Sequence, residues 1–295
     1  MIDYPLIPSG EKPIWDGNCF HLDKRKVRVL KYSSNLIGWD DDLTAFHEVE
    51  AGNGQHPIDI ASRNRAIEEL QYHGFPSDGS ILEIGCSSGY LLQDIRKAFP
   101  KSEIVGADVV LKPLERLGKS LLNIPLLQFD ILQCPLKESQ FDAVVALNVL
   151  EHIEDDLTAL KKIALLLKPG GILILEVPYG PGLYDYYDIY LKHFRRYSKR
   201  NLLTKIIESG LQIDKTDFLG FIPYLPFFVA KKINRIRFGV KGNKSFKFEK
   251  MVRKEIKKTA SSRVLELAMS TENILRGKVT FPFGIRLTAV LRKTN

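Results

Sequence analysis

Between residues 80 and 177 the chain alternates short, β-branched apolar runs with stretches whose apolar residues recur every three to four positions. That alternation is the signature of βαβ units feeding a parallel sheet. Strands are predicted over residues 80–85, 103–108, 126–129, 141–147 and 171–177, most of them near-continuous apolar runs, as strands covered on both faces should be. The clearest helix lies between the fourth and fifth. Asp155 and Asp156 open it, Leu157, Leu160, Ile163, Ala164 and Leu167 share one face, and Lys168-Pro169-Gly170 closes it. A second helix starts at Ser198, sets Leu202, Leu203, Ile206 and Ile207 on one side and stops at Gly210, a residue suited to a left-handed cap. A sixth strand follows from Leu211 and a last one over 285–291. About 60 residues of insertion therefore separate strands six and seven. The expected fold is α/β: a doubly wound, mostly parallel, seven-stranded Rossmann-like sheet. Residues 1–62 form an N-terminal extension without a convincing strand-helix pattern, with a helix beginning near Ser62. Residues 63–220 form the core, 221–279 a helical basic insertion, and 280–295 the final core strand.

Charge sharpens the picture of the insertion. The net charge is +8, but residues 231–258 carry twelve Lys and Arg against Glu249 and Glu255, so the rest of the chain is slightly acidic. Immediately before this run, residues 218–229 form an apolar, aromatic wedge that is too short to span a bilayer and is broken by Pro223 and Pro226. Two readings stay open for residues 218–258. A peripheral contact with an anionic membrane is one; a wedge packed on the sheet edge or over a pocket, with solvated lysines beside it, is the other. Nucleic acid is the weaker partner. No uninterrupted apolar run of 18 residues occurs, the first residues lack a signal-peptide pattern, and Cys19, Cys86 and Cys134 follow no metal or disulfide spacing. The expectation is a cytoplasmic chain, at most peripheral to a membrane; its oligomeric state is not legible.

The first strand runs into Glu83-Ile84-Gly85-Cys86-Ser87-Ser88-Gly89-Tyr90 and then an apolar helix. Glycines at 85 and 89 permit positive φ and let a ligand lie against bare backbone, and the helix start offers unpaired N–H groups. Asp108 ends the next strand about 25 residues beyond Glu83, where doubly wound folds place the acid that grips ribose hydroxyls. A dinucleotide site would need G-x-G-x-x-G, yet Ser87 and Tyr90 occupy the second and third glycine positions.

Taken as a set, these elements resemble the class I S-adenosylmethionine-dependent methyltransferases, in their small-molecule or glycan branch. The resemblance runs through the 82–86 loop, Asp108, Phe129-Asp130-Ile131, and Phe141 to Ile153 continuing into Leu167-Lys168-Pro169-Gly170-Gly171. It implies S-adenosyl-L-methionine as cofactor, with Glu83, Gly85, Cys86, Ser87, Gly89 and Tyr90 around its methionine part, Asp108 on the ribose, Asp130 and Ile131 at the adenine, and Asn148 on the floor. Ser87 stands where the family's central glycine would be. The 1–62 extension would then act as a lid, with Glu48, Glu50, Gln55, His56 and Asp59 in it, and His56 as a cap or packing residue.

For the acceptor, residues 178–197 are rich in polar aromatics at the carboxyl edge of the sheet. His193 is the first candidate base, because imidazole titrates near neutrality. Arg195 and Arg196 are candidates to clamp an anionic acceptor, beside Tyr179 and Tyr197. The alternative is that His193 and Tyr197 form a structural brace. His152 is a second candidate; some quinone O-methyltransferases resemble the Glu151-His152 pair, but two ligands do not make a metal site, and no metal is expected. Asn148-Val149-Leu150-Glu151 lacks the prolines of nucleobase-amine methylases. The function expected is methyl transfer to a small-molecule, glycan or lipid-linked acceptor at oxygen. RNA or protein methylation through the basic insertion and non-catalytic S-adenosylmethionine binding are the alternatives.

Overall fold

Every residue of the strand Ser80–Ile84 is buried, and Phe141–Leu147 and Leu167–Pro178 are buried along most of their length. Strands of this kind persist where helices cover both faces of a sheet. That is the arrangement in the computed structural model, which describes residues 2–23, 25–33, 54–238 and 246–294. In chain order the elements are β1 (Ile14–Trp15), β2 (Phe20–Leu22), β3 (Arg25–Val27), β4 (Val29–Lys31), α1 (Pro57–Tyr72), β5 (Ser80–Ile84), α2 (Tyr90–Ala98), β6 (Glu103–Asp108), α3 (Leu111–Ser120), β7 (Leu126–Gln128), β8 (Phe141–Leu147), α4 (Asp156–Leu166), β9 (Leu167–Pro178), α5 (Tyr186–Tyr190), α6 (Lys199–Glu208), β10 (Leu211–Leu219), α7 (Tyr224–Phe238), α8 (Phe246–Ala260), α9 (Arg263–Leu275) and β11 (Arg286–Lys293).

The main sheet runs β10-β11-β9-β8-β5-β6-β7-β4. All neighbours from β9 to β4 are parallel, whereas β11 lies antiparallel between β9 and β10. The chain order reverses at β5, which pairs with β6 on one side and β8 on the other. A crevice opens at such a switch point, beyond the carboxyl ends of the strands.

The expected α/β architecture is present, with differences that have local causes. An eighth strand, β4, joins the sheet edge against β7, and β1, β2 and β3 make a small sheet of their own. The N-terminal extension therefore does contain strands. Phe20, Leu22, Val29 and Leu30 are buried, and Arg28 donates to the carbonyls of Gly118 and Leu121 at 3.0 and 2.8 Å, tying the segment to the end of α3. The helix expected near Ser62 starts at Pro57, because proline at the first helical position gives up no hydrogen bond. Glu48 and Glu50 of the expected lid lie outside the described residues. At Leu167 the chain already pairs with Phe141, so β9 absorbs the stretch expected to be a helix terminator. Caps at Asp155 and Ser198 hold as expected: their side chains accept from Thr158 N and Asn201 N, each at 3.1 Å.

The insertion is helical and docked. The buried Glu272 carboxylate of α9 accepts from Gly220 N at 2.8 Å and Ile222 N at 3.2 Å. Phe221 stacks on Phe281 with ring centroids 5.0 Å apart, and Tyr224 and Phe227 pack with Leu265 and Met269. Part of the 218–229 wedge is thus internal, as the sheet-edge reading required.

Candidate active site

The loops after β5 and β8 are shaped by left-handed residues. Gly85 has φ +75°, and a Cβ there would come within 2.6 Å of Val149 Cγ2, so only glycine passes. Ser87 adopts φ +44° and Asn148, at the end of β8, φ +55°. For non-glycine residues this backbone costs about 1–2 kcal/mol each, and such strain concentrates at ligand clamps. It is held in place by hydrogen bonds. Asp108 Oδ2 accepts from Ser87 N and Oδ1 from Val110 N, both at 2.8 Å, and Asn148 Nδ2 donates to Glu176 Oε1 at 3.0 Å. Gly89 also has positive φ, but a side chain there would strike Leu117; it faces α3, not the crevice.

A cavity of about 490 Å³ fills the crevice. Of the residues predicted around the cofactor, Glu83, Gly85, Cys86, Ser87, Tyr90, Asp108, Asp130, Ile131 and Asn148 line it, and Gly89 does not. Glu83 is buried, and its Oε2 has no hydrogen-bond partner among the described residues. Burial, with the Asp108 carboxylate next, pushes the Glu83 carboxyl well above its usual range. Burial also raises Asp108, against the pull of its amide donors. A buried carboxyl oxygen left without a partner is destabilising by roughly 1–3 kcal/mol unless a donor meets it. Ser88, which also lines the cavity, has a second buried oxygen, Oγ, without a hydrogen-bond partner among the described residues.

The opposite wall comes from the segment after β9 and from the insertion: Tyr187, His193, Arg196, Phe227, Lys231 and Ile256 line it. Its organiser is Asp188. Asp185 and Asp188 form a capping box on α5, and Asp188 then accepts from Arg196 Nε at 2.8 Å and Lys231 Nζ at 3.3 Å, and lies 3.0 Å from His193 Nδ1. Burial alone would raise the Asp188 carboxyl; Arg196 and Lys231, with His193, outweigh it and hold the group well below the carboxylate range. With Nδ1 turned to Asp188, His193 keeps Nε2 for another partner. Burial lowers the imidazole pKa despite Asp188, so the ring is neutral at neutral pH. Its side chain is 9% exposed.

His152 sits against His193, ring centroids 4.6 Å apart and edge to face. Glu151 is buried beside them, and its carboxyl is raised to about 8, chiefly by burial. Glu151, His152 and His193 each bring a donor atom within 4.8 Å of the others, as do Asp16, Cys19 and His21 near β2. The sequence reading counted only the Glu151-His152 pair; the third donor, His193, is 41 positions further on and is brought in by the fold.

Three expected acceptor residues lie elsewhere. Arg195 donates to the carbonyls of Ile153 and Glu154 at 3.1 and 2.7 Å and pairs with Asp156 at 2.7 Å. Tyr197 is fully buried, its hydroxyl donating to Asp156 at 2.7 Å. Tyr179 packs edge-on against Phe218, and its carbonyl accepts from Arg196 at 3.2 Å. None of the three lines the cavity. They brace the loop that carries His193. Arg196 does line it, with its guanidinium committed to Asp188. His56 lines the cavity too, its ring 3.0 Å from Thr259 Oγ1. Asp188 and Lys231 were missed in the sequence. Asp188 was one acid among aromatics, and Lys231 was hidden in the basic run, yet it follows Phe227 by four positions on one helix face.

Residues 82–173 match the model of a family described as "methyltransferase domain". A demethylmenaquinone methyltransferase from Staphylococcus carnosus is 31% identical over 174 residues, 57% of this chain and 68% of that protein. The chain belongs to the S-adenosylmethionine-dependent methyltransferases. Its cofactor is accordingly S-adenosylmethionine. The fold agrees: a putative sarcosine dimethylglycine methyltransferase from Galdieria sulphuraria superposes with a TM-score of 0.58 at 16% identity, covering 86% of this chain and 99% of that one. A Haemonchus contortus phosphoethanolamine N-methyltransferase, solved with S-adenosylhomocysteine, gives 0.55 at 15% identity over 85% and 57% of the two chains. The methyltransferase chain spans 39% to 59% of the length of several other curated relatives it matches. The unpartnered Glu83 oxygen fits this cofactor, whose ammonium group would meet the carboxyl and whose ribose would meet Asp108.

Proposed function

We infer that the protein methylates a hydroxyl of a small-molecule, glycan or lipid-linked acceptor, with His193 as general base. The observation that carries this reading is the Asp188–His193 pair, 3.0 Å apart, opening on the same cavity as Glu83 and Asp108. When bound, S-adenosylmethionine supplies an electrophilic methyl on a positively charged sulfur. Glu83, Asp108, Asp130 and Ile131 would hold it, leaving the space between Asn148 and His193 to the acceptor. His193 Nε2 takes the hydroxyl proton as the oxygen accepts the methyl. The imidazolium that results is stabilised by Asp188, which Arg196 and Lys231 keep ionised. Positioning does the rest, because in-line displacement needs little beyond near-attack geometry. Aromatic and aliphatic lining at Tyr187, Phe227 and Ile256 favours an acceptor with an apolar part. The test is a screen of metabolite and lipid extracts with isotopically labelled S-adenosylmethionine: an O-methyl product supports the reading. Label on nitrogen or carbon would contradict the hydroxyl assignment. Tight cofactor binding with no product from any extract would favour a binding protein.

A further inference from the structure

Helix α7 has two apolar faces. Its inner one, with Phe227 and Lys231, lines the cavity. Its outer one carries Leu225, Val229, Ile233 and Ile236, which are 69%, 47%, 41% and 85% exposed. Spacings of four, four and three residues set these side chains in one row along the helix. Lys232 lies within the row, and Arg235 and Arg237 flank it on opposite sides. On α8, Lys250, Lys254, Lys257 and Lys258 recur at the same helical spacing and are all exposed, which makes a second, basic row. On α9, Val264, Leu267 and Ile274 are exposed on one side. Among the described residues no helix is long and apolar enough to cross a membrane.

We propose that the α7–α9 insertion is a seat for an anionic lipid surface, the α7 row entering the headgroup boundary while the α8 lysines meet anionic headgroups. Charge decides between the candidate occupants. In a two-fold dimer a self-complementary patch meets itself, so two copies joined through α7 would set like-charged flanks against each other. A nucleic acid would neutralise the lysines and leave the aliphatic row in water. An anionic bilayer satisfies both features of an interfacial amphipathic helix, and each basic residue near it strengthens partitioning by about fivefold. The seat is independent of the acceptor assignment, but if that assignment holds, it sets the helices that wall the acceptor space against the membrane, where a lipid-linked hydroxyl would be found.

The experiment is co-sedimentation of the full chain, without cofactor or acceptor, with vesicles of phosphatidylcholine alone or with 30% phosphatidylglycerol. Binding to anionic vesicles at least about tenfold above neutral ones is expected. Val229→Ser with Ile236→Ser should lower it about fivefold or more, and Lys250→Gln with Lys254→Gln about twentyfold, with S-adenosylmethionine affinity unchanged in both. Three results would overturn the proposal: no anionic binding even at low salt, binding indifferent to both pairs of substitutions, or a self-association that Ile236→Ser abolishes. RNA binding as tight as vesicle binding, lost in the lysine variant and kept in the serine variant, would assign the surface to nucleic acid instead.

Discussion

Two buried carboxyls at the cavity give opposite experimental signatures. Asp108 holds the amides of Ser87 and Val110 and, in the account above, the ribose. Asp108→Ala should weaken S-adenosylmethionine binding by about 1–3 kcal/mol in calorimetry; unchanged affinity would remove the ribose assignment. Glu151 titrates near 8 in the folded protein against an ordinary 4.5. A raised folded pKa stabilises the fold at low pH and loses that contribution as pH climbs from about 4.5 to about 8. Melting curves of Glu151→Gln should therefore fall less steeply over that window than those of the wild type. Parallel curves would mean that Glu151 is ionised, or its charge compensated, throughout. The loop that lines the crevice was legible at this scale because Gly85 and Ser87 with positive φ, and Asp108 accepting from Ser87 N, are features of local backbone geometry. Gly89 misled, since a glycine cleared for Leu117 reads in sequence like one cleared for a ligand.

At the scale of elements, the sequence exposed what has a period and concealed what depends on pairing. Strands β5 to β11 emerged within a few residues, and α4 and α6 with their caps, because apolar runs and cap residues are local signals. β4 did not, being three residues flanked by Arg28 and Tyr32 and secured only by pairing with β7. The Pro57 start was overlooked in favour of Ser62. More consequential is α7, which joins the end of the apolar wedge to the start of the basic run, two segments read separately in the sequence. Lys231 is buried in it and joins Asp185 at 2.6 Å as well as Asp188. Removing one partner of a buried ion group leaves an uncompensated charge, so Lys231→Met should destabilise the protein by about 3–5 kcal/mol. It should also lower turnover, as Asp188 loses one of the cations that fix it. A melting temperature equal to the wild type's would show that the pair is not formed.

For the whole molecule, the consequence is that the insertion is part of the site. Glu255, Ile256 and Thr259 of α8 join Phe227 and Lys231 in the cavity wall, so the basic segment has an inner face that belongs to the site as well as an outer one. The positive charge divides accordingly: Lys231 faces inward on acids, while Lys250, Lys254, Lys257 and Lys258 of α8 face outward. Neither the Asp188 cluster nor the grouping of Glu151, His152 and His193 could be read along the chain, because each gathers residues from segments some 40 positions apart. Metal dependence is testable with the same protein. Proton removal by His193 needs no ion, so exhaustive dialysis against a chelator should leave turnover unchanged; a loss restored by one divalent cation would assign those three donors to a metal instead.

The most direct test of the central claim compares His193→Gln with the wild type for labelled methyl transfer, cofactor affinity and melting temperature on one acceptor. Asp188 keeps Arg196 and Lys231 in the variant, so the loop should stay in place. Turnover should be lower by about 100-fold or more, with cofactor affinity and melting temperature close to wild type. The acid limb of the wild-type pH profile, lying below the ordinary histidine value of 6.5, should disappear in the variant. A stable variant with wild-type turnover and an unaltered pH profile would contradict the central claim.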